Sequence, residues 1–181
     1  MKRAIKNLVT KVRRWVKDDR ASATLEFVLA LPVVMAVFTA SFESGLIMTR
    51  AIMLEQALDK TMRELRLGHY PIPSHQLLKS EICARSSLFR DCESSILIEL
   101  QRINTATWAL PATNAACIDR TEDIQPVTAL QVGQQNDIML IRVCIVQDLM
   151  FPRFGIGKRL PQDGLGGFGI VAVSAFVNEP T

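Results

Sequence analysis

Ala21-Ser22-Ala23-Thr24-Leu25-Glu26-Phe27 runs without a break into Val28-Leu29-Ala30-Leu31-Pro32-Val33-Val34-Met35. Small residues come first, then one carboxylate, then an apolar run. That order decides how the rest of the chain is read. From Leu25 to Met48 only Glu26 and Glu43 carry charge. A helix rises about 1.5 Å per residue, so this segment spans about 36 Å, enough for a bilayer core of about 30 Å. The stretch between the two carboxylates, Phe27 to Phe42, spans about 24 Å. No other segment could surround such a helix on all sides, which argues against a buried core helix.

Glu26 is awkwardly placed. A carboxylate inside the bilayer costs about 2.5–3.5 kcal/mol on insertion scales. Either Glu26 sits at the interface, in a first helical turn where the helix dipole favours an anion, or it has a partner. Glu43 has two readings as well. It could cap the outer edge of the span, exposed to headgroups and water, or meet a basic group on another component inside the membrane.

A secretory signal fits poorly. The small residues Ala21-Ser22-Ala23 precede the apolar run, whereas a signal peptidase site follows it, and Ala40-Ser41-Phe42 is a weak substitute. The segment reads as an uncleaved anchor. The full chain carries 21 basic and 18 acidic side chains, a net charge of +3. Lys2, Arg3, Lys6, Lys11, Arg13, Arg14, Lys17 and Arg20 outweigh Asp18 and Asp19, so residues 1–20 hold +6 and the remainder −3. Basic flanks stay cytoplasmic. The leader is therefore inside, the bulk of the chain outside, and periplasmic in a bacterium. With all the excess charge in the leader, the balance is no nucleic-acid signal. Ile5, Leu8, Val9, Val12, Trp15 and Val16 recur at helical spacing, which fits either a basic amphipathic helix on an anionic membrane surface or a merely positive flank.

Beyond the span, Leu54, Leu58, Met62 and Leu65 form a helical stripe. No Gly or Pro interrupts residues 51–67, Gly68 offers a C-cap, and Pro71 and Pro73 discourage continuation. One helix from about Ala23 to about Leu67 is predicted, bent at Pro32, with the leucine stripe needing a platform. Residues 74–86 predict a short helix. Strands are predicted over 95–103, with Ile96, Ile98 and Leu100 on one face and Glu99 and Gln101 on the other; over 137–148, with Met139, Ile141, Val143 and Ile145 opposite Arg142; and over 169–178. Strands that follow one another without helices predict an antiparallel sheet. The glycines of 164–169 read as a flexible connection before the last strand. The fold class is α+β: a cytoplasmic basic leader (1–21), a transmembrane and extended helix (22–67) and a small antiparallel β-sheet periplasmic domain (68–181).

Cys83, Cys92, Cys117 and Cys144 all follow the span. An even count in an oxidising compartment points to two disulfides, and proximity in sequence favours Cys83–Cys92 and Cys117–Cys144. Free buried thiols and a zinc site are the alternatives. Zinc is the weaker of the two, because no Cys-x-x-Cys is present and only His69 and His75 could join. Catalytic constellations are thin. There is no Gly-x-Ser-x-Gly for a hydrolase. Gly155-Ile156-Gly157-Lys158-Arg159 has the wrong spacing for a phosphate loop and no Ser or Thr after Lys158. The expectation is a non-enzyme without cofactor or metal.

The run Ala21 to Pro32, followed by Glu43-Ser44-Gly45, resembles the start of TadE-like minor pilins, or pseudopilins, of the tight-adherence (Flp, type IVb) pilus system. Those proteins join a basic leader, small residues, a Glu-Phe pair (here Glu26-Phe27), an apolar helix with a proline, and an acidic residue before a Gly. The resemblance covers residues 20–67. It implies a single-pass protein of the bacterial inner membrane, able to enter the pilus, whose partners are other pilins or pseudopilins and pilus assembly proteins. It also implies a prepilin peptidase that cuts between Ala21 and Ser22 at the cytoplasmic face, making Glu26 the fifth residue of the mature chain. The new amine on Ser22 and the Glu26 carboxylate would then attract each other in low dielectric, which offsets desolvation. In related pilins such a pair sets the axial register between subunits. The residue before the cut is usually Gly, and here it is Ala21. The competing reading is an unprocessed, membrane-anchored periplasmic binding or sensor module.

Overall fold

A computed structural model describes residues 19–179 except 71, 111–114, 116, 123, 153 and 154, with side chains from residue 23 onward. The amphipathic reading of the leader falls on residues 1–18 and lies outside the described residues.

Helix α1 runs from Asp19 to Arg66 and continues through Pro32. Its hydroxyls fold back onto its own carbonyls. Thr39 Oγ1 donates to Met35 O at 2.9 Å, Ser44 Oγ to Ala40 O at 2.9 Å and Thr49 Oγ1 to Gly45 O at 2.8 Å. An apolar helix thus carries these groups without needing an outside acceptor. It ends in a Schellman motif. Gly68, at φ 74°, donates its N–H to Leu65 O, and His69 donates to Glu64 O, each at 3.1 Å. The predicted glycine cap is therefore in place.

Helix α2, His75–Arg85, begins where Ser74 Oγ accepts the N–H of Leu77 at 3.2 Å. A single turn, α3, Cys92–Ser95, follows Asp91, whose φ is 48°. Strands β1 (Ile96–Arg102), β2 (Ile138–Asp148) and β3 (Gly167–Val177) form one antiparallel sheet in the order β1-β2-β3. The predicted helices and strands are all present within a few residues of their expected ends.

The leucine stripe of α1 finds its platform on the inner face of this sheet. Leu54, Ala57, Leu58 and Met62 are buried against Ile96, Ile98, Ile141, Val143, Ile145, Ile170 and Ala172, with Leu78 and Ile82 of α2 closing one side. Each fully buried side chain contributes about 1.5–3 kcal/mol, so this face fixes the sheet onto the helix. The outer face is covered differently. Ile118 packs on Leu97 and Val146, and residues 129–131 run beside β1 through Leu100 N–H to Ala129 O and Gln131 N–H to Leu100 O, both 2.9 Å. On that face Arg142 pairs with Glu99, its partner in register.

One expectation changes. The glycines of 164–169 are not a mere connection. Gly167 and Gly169 lie inside β3, and the turn before it is closed by Asp163, which takes its N–H to Gly167 O at 2.7 Å and accepts the N–H groups of Leu165 and Gly167 on Oδ1 at 3.0 and 2.7 Å. A carboxylate that collects successive N–H groups orders a glycine-rich turn. Residues 157–159, read as loop, form one 3₁₀ turn.

Candidate functional site

Helix α1 has two halves with different surroundings. From Ala23 to Phe38 every described side chain is exposed, including Leu25, Phe27, Val34 and Val37. An 18-residue window has mean hydropathy 2.1 with none of it buried. The helix is long and apolar enough to cross a membrane. A single uncovered apolar surface of this length is not sustained in water, so it requires lipid, other apolar helices, or both. Phe38 and Phe42 stack one turn apart, ring centroids 6.5 Å. Glu26 stands on this uncovered half, exposed, and the Ala21–Ser22 bond lies in the first turn of α1.

The transition between the halves falls at Glu43. Only 2 % of its surface is exposed. Its Oε1 accepts the N–H of Met150 at 3.0 Å and its Oε2 the N–H of Phe151 at 2.9 Å. The expectation that Glu43 is exposed to headgroups and water is corrected here: the carboxylate is buried, and two main-chain donors just past β2 bind one to each of its oxygens. Beside it, Gly155 at φ +60° lies so close to the helix that a Cβ there would stand 3.3 Å from the Cα and Cβ of Ala40. Arg50 adds a third tie, Nη1 to Asp148 O at 3.1 Å. The segment after β2 is thus clipped to α1 from Ala40 to Arg50. No pattern in the sequence announced this, since Glu43 and its donors are separated by 107 and 108 positions.

The four cysteines are joined as Cys83–Cys92 and Cys117–Cys144. The first bond ties the end of α2 to α3. The second pins the 115–130 segment to the outer face of β2, directly over Gly169, where a Cβ would lie 2.9 Å from Cys117 Sγ and 3.0 Å from Cys144 Sγ. Next to it Arg120 reaches Asp163 and Asp148. The guanidinium holds the Asp163 carboxyl below its ordinary range, against the opposing effect of burial, with the Gly167 and Leu165 N–H groups adding to the depression. Hydrogen bonds to Asp163 and then Asp148 push Arg120 upward, against the opposing effect of burial. Among the described residues no group of three His, Cys, Asp or Glu is placed to hold a metal ion. The described residues present a bare apolar helix, one carboxylate near its start, and a sheet packed on its other half.

A family model described as TadE-like protein matches residues 21–63, so the TadE-like character expected from the start of the helix is found there. The match begins at Ala21, spans the bare half of α1 and ends within the half that packs on the sheet. No curated protein and no solved structure matches the chain.

Proposed function

We propose, from the match over residues 21–63, that this chain is a minor pilin-like subunit that acts by assembly rather than catalysis in a tight-adherence (Flp, type IVb) pilus. The observation that carries the reading is the uncovered apolar half of α1, which begins close to the Ala21–Ser22 bond and ends where the sheet begins to cover the helix. Residues 1–21 are the cytoplasmic leader, α1 crosses the inner membrane, and the sheet lies in the periplasm. A prepilin peptidase cuts the Ala21–Ser22 bond. The amine it creates on Ser22 pairs with Glu26 of a neighbouring pilin and sets the axial register, while Phe27 and the residues after it pack against other pilins or assembly proteins. Because the bond sits in a helical turn, cleavage requires that the first turn unwind locally.

The test is the mature N-terminus. Coexpression with a cognate prepilin peptidase, followed by mass spectrometry of the intact protein, should give a chain beginning at Ser22. A leader that stays intact removes the processing claim. Glu26→Ala should leave membrane insertion unchanged and lower or abolish piliation; normal piliation removes the register role.

A second reading, an unprocessed anchored binding module, draws on one observation. A cleft of about 490 Å³ opens at the far end of the sheet, between Arg66, Tyr70, Gln135 and Phe176. An intact leader together with a specific ligand in that cleft would favour it.

A further inference from the structure

The segment Leu149–Leu160 meets α1 at a level that can be fixed. Counting about 20 residues for the hydrocarbon core, the far boundary falls at Ala40 if Arg20 marks the near one, and at Leu46 if Glu26 does. Gly155 touches the helix at Ala40 and the N–H groups of Met150 and Phe151 bind Glu43. Either count therefore places this loop at the edge of the apolar layer.

Its composition suits that position. No acidic residue occurs from Leu149 to Leu160, where Arg153, Lys158 and Arg159 are basic. Met150 is 59 % exposed and Ile156 38 %. Lys158 and Arg159 are exposed on the 3₁₀ turn, and neither has an ion pair among the described residues. Several backbone groups of its described residues are satisfied within the protein. The two donors at 150 and 151 go to Glu43, Arg159 N–H goes to Ile156 O at 2.8 Å, and Gln162 Nε2 donates to Pro152 O at 3.1 Å and to Gly157 O. Irregular backbone at the edge of hydrocarbon is tolerated only when it is satisfied in this way. Apolar tips flanked by basic residues are what an interfacial element presents to anionic lipid.

We infer that the described residues of this loop, 149–152 and 155–160, form a foot that rests on the membrane α1 crosses, with Met150 and Ile156 in the outer leaflet and Lys158 and Arg159 against anionic phospholipid headgroups. Glu43 is then a carboxylate at the membrane edge made tolerable by the foot that covers it. The inference rests on the proposed membrane-spanning role of α1.

Nitroxide labels on the full chain, with both disulfides left oxidised, test it. Ile156→Cys, and Met150→Cys as a second reporter, are labelled and reconstituted in phosphatidylcholine vesicles with and without phosphatidylglycerol. Accessibility to oxygen and to a water-soluble nickel chelate gives the depth. Val37→Cys reports the span itself, and Val127→Cys, fully exposed on the 115–130 segment, reports water. The expected result is a lipid-like label at 37, 150 and 156, a water-like label at 127, and a deeper label at 156 when phosphatidylglycerol is present. Adding Lys158→Ser and Arg159→Ser should abolish that lipid dependence. A lipid-like label at 37 with water-like labels at 150 and 156 overturns the foot alone, whereas a water-like label at 37 overturns the span. Depth at 156 that ignores phosphatidylglycerol overturns the headgroup contact.

Discussion

Arg120 holds Asp163 through two hydrogen bonds, Nε to Oδ2 at 2.7 Å and Nη2 to Oδ1 at 3.0 Å. The pair joins the cysteine-pinned segment to the turn that launches β3, and both side chains are about four-fifths covered, at 22 % and 19 % exposure. Since Asp163 titrates lower in the folded protein than in the unfolded one, its contribution to stability is full above the unfolded value, about 3.9, and is lost as pH falls through the folded value. Asp163→Asn should cost about 1–3 kcal/mol at neutral pH. It should also flatten the loss of stability below about pH 4. Denaturant unfolding of the detergent-solubilised protein across that pH range measures both.

Glu43→Ala removes the acceptor for two main-chain N–H groups that are partly buried. Each orphaned donor costs about 1–3 kcal/mol. Glu43→Gln keeps one acceptor oxygen and should lose less. The expected order is wild type, Gln, then Ala, both in unfolding midpoint and in resistance of residues 149–160 to limited proteolysis. Equal behaviour of Ala and wild type would show that the clip is carried by Gly155 and Arg50 instead.

Gly169 and Gly167 make a matched pair of probes. A Cβ at Gly167 would stand 2.2 Å from Arg120 Nη2, the far end of a long side chain, while one at Gly169 meets two bonded sulfurs. Arg120 can swing aside; a crosslinked sulfur pair cannot move without its strands. Gly169→Ala should therefore be the more destabilising of the two, by about 1–3 kcal/mol in absolute terms. Gly167→Ala should act by loosening the Arg120–Asp163 contact. In a double-mutant cycle Gly167→Ala and Asp163→Asn should be less than additive.

The disulfides close separations of 9 and 27 residues. On the chain-entropy estimate these are worth about 2.5 and about 3.5 kcal/mol. Thiol titration of the denatured, unreduced protein should find no free thiol. Cys117→Ala with Cys144→Ala should lower the unfolding midpoint more than the Cys83–Cys92 pair of substitutions.

Much of this architecture was legible because it is periodic. The stripe Leu54, Leu58, Met62, Leu65 and the alternation Met139, Ile141, Val143, Ile145 each repeat at the spacing of the element that carries them, and all are buried except Leu65, which is half-buried against the same core. Gly68 was legible because only a left-handed residue ends a helix in that manner. Glu43 was not. Its partners are main-chain donors, which leave no residue-type signature, and they lie across the fold. Nor did anything mark Asp163 or Arg120, whose contact depends on how a long irregular segment is folded over β2 and β3. Residues 164–169 misled because glycine content reads as freedom, whereas here two of the glycines make room for Arg120 and for the Cys117–Cys144 bond.

Ala40, Glu43 and Arg50 tie the sheet to α1 over the same stretch where the helix leaves its bare half, and the only proline inside α1, Pro32, lies before that stretch. Anchor and sheet consequently share one azimuth. When neighbouring apolar helices turn the part of α1 after Pro32 about its axis, the sheet tied to it swings through the same angle. The direction in which the sheet faces is then a readout of how the bare half is packed.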